Sequence, residues 1–461
     1  MGASFFPPER VLSGMEPAPI RGGTNRVHVN PEATISRRAR RLICLAWLSA
    51  LPATANGILA QVARPAADVA VIQPPSTQLS PRASAALLPD TVITPRDGPK
   101  LIRLAAPGSA LTTLRLSIPV EEGPSEAGAS QIIALLGLER ARVAAAPIGA
   151  RVEGSRTPWG IAYTVVGPTE DFDYLTYVLR EAVAQPRLDR NVVERTRLRV
   201  REEAQRERET ASGRIAAQLR AAAVPGALPL LGTLASLDAI SVTSLHDLWA
   251  RTHRRAHMSL VVVGPEPVEL VLAALGDLGS DDRTPPSVPS ARPPADPAPK
   301  AEVLRSWYGA AWVAGDPGDP HSAVVASLIA RRLRERRSTF DSDVQLWDVG
   351  TVRVLAVTGA AYATGAQAMR RRVEGILTEA AGSVSREELS PAISDLRLDL
   401  LPGARTSWGL ATLVGRYHDA TGDADAAYQH LTRLDEVTPE SIRAYVDLLE
   451  TRGHQRAELR P

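Results

Sequence analysis

Leu234-Ala-Ser-Leu237-Asp238-Ala-Ile240-Ser241-Val-Thr-Ser244-Leu245 returns later in the chain as Leu431-Thr-Arg-Leu434-Asp435-Glu-Val437-Thr438-Pro-Glu-Ser441-Ile442, with Asp238 and Asp435 197 positions apart. A period that long marks a duplicated domain, because solenoid repeats recur every 20 to 50 residues or so. Other pieces echo at nearly the same offset: residues 111–120 match 307–315, 161–166 match 354–358, and a charged helix starting near Leu188 matches one starting near Val384. Two similar lobes are therefore expected. Between them, segment 281–300 holds seven prolines, which bar it from a helix interior or an inner strand, so it reads as a semi-rigid hinge or tether.

Within the first lobe, Leu114, Leu116 and Ile118 alternate as in a strand with one buried face. The turn-rich stretch 121–128 leads into a strongly apolar helix over 129–143, carrying Ile132, Ile133, Leu135, Leu136 and Leu138. A second strand over 160–166 precedes a helix over 170–184 whose buried stripe is Leu175, Val178, Leu179 and Val183. Pro186 then breaks the chain before a long charged helix from Asp189 to about Glu209. Ser241 and Thr438 read as N-caps, the second with Pro439 in the first helical position, and the helix behind Ser241 leads to a strand over 258–263. The fold class is thus α+β: two duplicated lobes, each an antiparallel sheet with helices on one face. The chain divides into a signal peptide with a long N-terminal extension (1–55), a lead-in rich in Pro and Ala (56–104), a first lobe (105–275), a Pro-rich linker (276–302) and a second lobe (303–461).

With 461 residues, 44% of them hydrophobic, each lobe can bury its own core. Lys plus Arg number 53 against 51 Asp plus Glu, a balance that gives no electrostatic reason to expect nucleic acid as a partner. Arg37, Arg38, Arg40 and Arg41 precede the apolar run 42–51, and Ala53-Thr54-Ala55 supplies small residues at cleavage spacing. That arrangement reads as an export signal cut after Ala55, which places the mature protein in a bacterial periplasm. The run is too short to span a bilayer, and no later stretch of about 18 apolar residues would do so. The single cysteine, Cys44, lies inside this leader, so the mature chain is expected to hold no disulfide, thiol nucleophile or cysteine-ligated zinc.

Several modest matches fall in one order: a glycine step at Gly128 into an apolar helix, Glu194-Arg195 running on to Glu202 and Glu203, Gly232 before Leu237-Asp238, the strand Val261-Val-Val-Gly264, and Leu333-Arg334-Glu335 in the second lobe. In that order the chain, over roughly residues 105–461, resembles the insulinase, pitrilysin and mitochondrial processing peptidase family. The resemblance implies a processing-peptidase-like fold and a zinc site built from His-x-x-Glu-His on the first helix plus a glutamate from the later charged helix. Two histidines at i and i+4 share a helix face, and the glutamate between them serves as base toward the metal-bound water. Counted from Gly128, the equivalent positions here hold Gln131, Ala134 and Leu135. Glu202 and Glu203 are the candidates for the fourth ligand, and a lone carboxylate does not hold zinc with useful affinity. No zinc is therefore expected in this chain, and no peptidase chemistry from it alone.

In family members that work as pairs, one chain carries the zinc motif and the other offers an Arg and a Tyr from its second lobe to the substrate backbone. Arg334 matches that arginine, with a guanidinium suited to donate to peptide carbonyls. Phe340 stands one residue early at the tyrosine position and brings an apolar ring without a hydroxyl. The competing reading of Arg334 is one more charge on a helix already bearing Arg331, Arg332, Arg336 and Arg337, and that of Glu202 and Glu203 is a solvated helix face. His253-Arg-Arg-Ala-His257 has metal-ligand spacing, but it sits at a helix exit without a Glu before the second His, and is expected to be a solvated basic turn. His246, His321, His418, His430 and His454 are scattered singly and read as surface or cap residues. No phosphate loop or nucleophile elbow occurs.

Three functions follow. The first is a non-catalytic, substrate-binding subunit of an exported heterodimeric zinc peptidase, closing a clamshell over unfolded peptide with a homologous chain that carries His-x-x-Glu-His and the zinc. The second is a scaffold or peptide-binding protein that uses the fold without proteolysis, as core subunits of respiratory complexes do. The third is a hydrolase with a rebuilt site.

Overall fold

The computed structural model describes residues 86–96, 98–186, 188–274, 278, 288, 296, 302–335, 341–382 and 384–461. The first lobe runs β1 (Thr91–Ile93), β2 (Lys100–Ala105), β3 (Leu111–Pro119), α1 (Ala129–Ala145), β4 (Arg151–Thr157), β5 (Gly160–Pro168), α2 (Phe172–Val183), α3 (Arg190–Glu209), α4 (Ala211–Ala223), α5 (Leu234–Ala239), α6 (Val242–Thr252), β6 (Ser259–Gly264) and α7 (Val268–Ala274). The second runs β7 (Ser306–Gly315), α8 (Pro320–Glu335), β8 (Asp341–Val349), β9 (Val352–Ala361), α9 (Ala366–Gly382), α10 (Arg386–Ala404), α11 (Ser407–Thr421), α12 (Ala426–Arg433), α13 (Pro439–Arg452) and β10 (Gln455–Leu459). The segments that echo in sequence occupy matching places: β3 and β7, β5 and β9, α3 and α10. No helix among the described residues is long and apolar enough to cross a membrane.

Local chemistry sets the boundaries. The Asp189 carboxylate accepts the N–H groups of Asn191 and Val192 to start α3, and Thr210 both ends that helix and caps α4 through Gly213 N. Ser241 with Ser244, and Thr438 with Ser441, form the two equivalent capping boxes of α6 and α13. Helix α2 buries Leu175, Val178, Leu179 and Val183, the stripe that its periodicity predicts.

The first sheet has the order β1-β2-β6-β3-β5-β4 and the second β10-β7-β9-β8. Among the described residues, all pairs are antiparallel except β2 with β6. Strands β1 and β2 correct the lead-in boundary: residues 91–105 belong to the first sheet, and Leu87 is fully buried in the second lobe's core with Tyr308 and Trp312. Pro89, Pro95 and Pro99 punctuate these short strands and hide their pattern.

Each lobe packs its own helices on one face of its sheet, and the other face takes a helix from the other lobe. Ile215 and Leu219 of α4 pack on Ala311, Val354 and Ala356 of the second sheet. Ala411 and Val414 of α11 pack on Ile102, Leu104, Val261 and Val263 of the first. The two helices start 196 positions apart, so the exchange is symmetric within the duplication. Strand β3 is consequently buried on both faces, where its alternation predicts one. Leu114, Leu116 and Ile118 face the lobe's own core, while Thr113 donates to Ser407 Oγ at 2.9 Å and Arg115 pairs with Asp419 at 2.8 Å. The tether read from the sequence lies outside the described residues except for Val288 and Asp296, and Asp296 accepts the N–H groups of Leu234 and Ala235 and pairs with Arg208.

Candidate functional site

Helix α1 begins where two chain segments cross at backbone contact. Gly128 has a left-handed φ of 93°, and a Cβ there would lie 2.6 Å from the Leu231 carbonyl oxygen. Gly232, with φ of 76°, would place a Cβ 2.1 Å from the Ala127 carbonyl oxygen, so only glycine fits either side of the crossing. Ser236 Oγ donates to that same Ala127 oxygen at 2.8 Å. The N–H groups of the helix start, which have no partner within the helix, go to Glu122, which accepts from Ser130 N at 2.6 Å and Gly128 N at 3.4 Å. Burial raises the Glu122 carboxyl above its usual range, against the pull of Arg156 and these N–H groups. Burial likewise lowers Arg156, which Glu122 opposes.

On this helix Gln131 is partly exposed, Ala134 is fully buried and Leu135 packs half-buried against the core. The Gln131 Oε1 accepts the backbone N–H of Arg156 at 3.1 Å. Among the described residues, strand β4 lies at the end of its sheet and pairs with β5 alone, Gly154 opposite Tyr163 and Arg156 opposite Ile161. Since the Arg156 N–H points away from β5, the alternation of an antiparallel strand turns the backbone groups of Val152 and Gly154 to the same unpaired edge. The Arg156 guanidinium folds over the hairpin and donates to the Gly160 oxygen at 3.1 Å. At the tip, Trp159 Nε1 donates to the Gly350 oxygen of the second lobe at 2.8 Å.

Helix α3 turns Val193, Val200 and Ala204 inward and leaves Glu202 and Glu203 exposed. An amide already bonded to backbone, a methyl, an isobutyl group and two solvated carboxylates do not form a zinc ligand set. Among the described residues, no three His, Cys, Asp or Glu side chains gather as one. Arg334, near the end of α8, is 70% exposed and 3.9 Å from Asp395, the carboxylate that Arg331 engages at 2.7 Å. Phe340 lies outside the described residues, as do Arg336 and Arg337.

The basic turn at 253–257 is not solvated throughout, which corrects the sequence expectation. His253 is 1% exposed, stacks on Trp249 with ring centres 5.5 Å apart, and is pushed down to about 3 by burial. His257 is exposed, so the two rings do not converge. His430 is also buried, 2% exposed, and burial lowers it to about 4.

One constellation escaped sequence reading. Asp319 Oδ1 lies 2.7 Å from His321 Nδ1, and His321 Nε2 lies 3.1 Å from Ser441 Oγ. The carboxylate accepts the hydrogen bond of Nδ1–H and leaves Nε2 as acceptor, the polarity of a charge-relay triad. Yet Ser441 Oγ also accepts the Thr438 N–H at 3.0 Å within its capping box, and the N–H groups of Ser441 and Ile442 are taken by Thr438. No donors remain there for an oxyanion, so the cluster braces the starts of α8 and α13. Its one sequence signal is Asp319-Pro-His321 ahead of an apolar run, a helix-start pattern.

No family model matches the sequence, and no curated protein matches it. Solved structures do. A protease from Helicobacter pylori superposes with a TM-score of 0.67 at 12% identity, over 81% of this chain and 100% of that one. The inactive domain of a peptidase M16 from Pseudomonas fluorescens gives 0.66 at 12% identity, over 80% and 97%. A chain of complex III2 from Candida albicans, with Inz-5 bound, gives 0.65 at 11% identity, over 80% and 95%. The fold is therefore that of the M16-like peptidases, the insulinase-type fold that the sequence resembles.

Proposed function

We propose that this chain is a peptide-binding, non-hydrolytic subunit of an exported two-chain zinc peptidase. The observation that carries the reading is an open strand edge, β4, kept beside the start of α1 while the motif positions on that helix hold Gln131, Ala134 and Leu135. Such an edge binds extended peptide through main-chain hydrogen bonds. Hydrolysis needs a metal-bound water and a base, and in this reading both come from a homologous partner bearing His-x-x-Glu-His and its zinc. Arg334 of the second lobe, solvent-exposed and only loosely tied, donates to peptide carbonyls, with Phe340 as an apolar wall. The inactive Pseudomonas domain is a precedent for the fold without the chemistry.

Likeness to the complex III2 chain favours a second reading, a scaffold without proteolysis in any combination. Affinity capture of the tagged protein from its native host, with bound proteins identified by mass spectrometry, separates the two. Near-equal recovery of a homologue carrying the zinc motif, and peptide hydrolysis by the pair but not by either chain, supports the subunit role. Recovery of the chain alone, or with unrelated proteins, sinks it.

A further inference from the structure

Among the described residues nothing bonds the outward backbone groups of Val152, itself 6% exposed, or of half-buried Gly154, whereas the outward N–H of Arg156 is already held by the Gln131 side chain at 3.1 Å. A peptide pairing antiparallel along this edge sets one carbonyl opposite each outward N–H, every second residue or about 7 Å apart. At Arg156 that place is filled. Just beyond it the strand ends, and the hairpin tip is closed by Trp159 bonding to the second lobe at Gly350.

We infer that Gln131 is a register stop on the peptide track: its amide oxygen substitutes for a peptide carbonyl at Arg156, so that a bound strand pairs at Val152 and Gly154 and goes no further. The inference rests on the proposed peptide-binding role of β4. The residue in the first motif position thus limits how far an extended chain advances toward the hairpin. A purely structural tie between α1 and β4 predicts that losing Gln131 leaves peptide affinity unchanged or weakens it. A register stop predicts a gain, because the freed N–H becomes available to the peptide.

The test uses the full chain and fluorescein-labelled 12-residue peptides tiled from β-casein, with binding followed by anisotropy. For peptides that bind, Gln131→Ala should tighten Kd about fivefold, the net worth of one added hydrogen bond. Hydrogen exchange over 151–157 should show one amide losing protection in the variant and regaining it with peptide. Copies of the peptides N-methylated at alternate residues should not bind. Equal or weaker affinity of Gln131→Ala, with N-methylated copies still excluded, overturns the stop and leaves the track standing. If the N-methylated copies bind as well as their parents, or no peptide binds either protein, track and stop both fall.

Discussion

Asp419→Ala should cost about 3–5 kcal/mol of folding stability, the loss expected when one partner of a buried pair is removed and the other stays charged. Arg115 on β3 and Asp419 on α11 are 5% and 6% exposed, 2.8 Å apart, and belong to different lobes. Ser117 Oγ also donates to the same carboxylate oxygen at 3.0 Å. The stranded guanidinium has little room to turn to solvent, because α11 passes so close that a Cβ on Gly415 would fall 2.2 Å from its Nη1. Urea unfolding followed by tryptophan fluorescence and far-ultraviolet circular dichroism would show the midpoint falling by roughly 1–2 M with the slope unchanged. The double variant Arg115→Met/Asp419→Leu should recover most of the loss, since an apolar pair carries no unpaired charge. Acid adds a second check. Burial alone would raise the Asp419 carboxyl, but Arg115, His418 and Ser117 together hold it below 3.8. Its stabilisation is therefore complete above the unfolded value and lost as pH falls through the lower folded one. A loss under about 1 kcal/mol, or separate unfolding of the two lobes in the parent protein, would refute a lock built on this pair.

His430 titrates at about 4 in the fold against 6.5 when free, so the unfolded chain binds the extra proton between these values and stability falls as pH drops from 6.5 to 4, by roughly 3 kcal/mol. His253, lowered to about 3, acts in the same window, so His430→Gln should reduce the slope there without abolishing it, and an unchanged slope in urea midpoints against pH would assign it elsewhere. Leu219→Ala removes a fully buried side chain that α4 inserts against the second sheet; a loss of about 2–5 kcal/mol should appear with faster amide exchange in β7 and β9, not in the first lobe alone. Gly128→Ala combines a left-handed φ with a contact of 2.6 Å to backbone and should cost at least about 2 kcal/mol, read as a lower melting temperature; an unshifted melt would mean that the crossing at Gly232 yields freely.

Local signals carried most of the elements because each is written within a few residues: Asp189, Ser241 and Thr438 start their helices as capping chemistry dictates, and the stripe on α2 is buried as its period requires. Strand β4 was not legible. Arg151-Val-Glu-Gly-Ser-Arg-Thr157 has one apolar residue, since an edge strand in this place buries only Val152 in the core, and the bond from Arg156 to Gln131 joins residues that no local pattern relates. That Gln131, Ala134 and Leu135 stand where His-x-x-Glu-His would fall was visible by counting from Gly128, whereas what Gln131 bonds was not. The other face of β3 was misread for a more general reason. Thr113, Arg115 and Ser117 look like a solvent face, and in a lone lobe they would be one. They are buried because duplication supplied a second copy of the helix that follows α3, and each copy crosses to the sheet of the other lobe. Small hydroxyls and one paired arginine suit a face that meets another lobe, where polar groups need partners more than apolar area. The binary pattern of one lobe is thus solved only by the pair. The exchanged helices and the Arg115–Asp419 pair then fix how the two lobes meet.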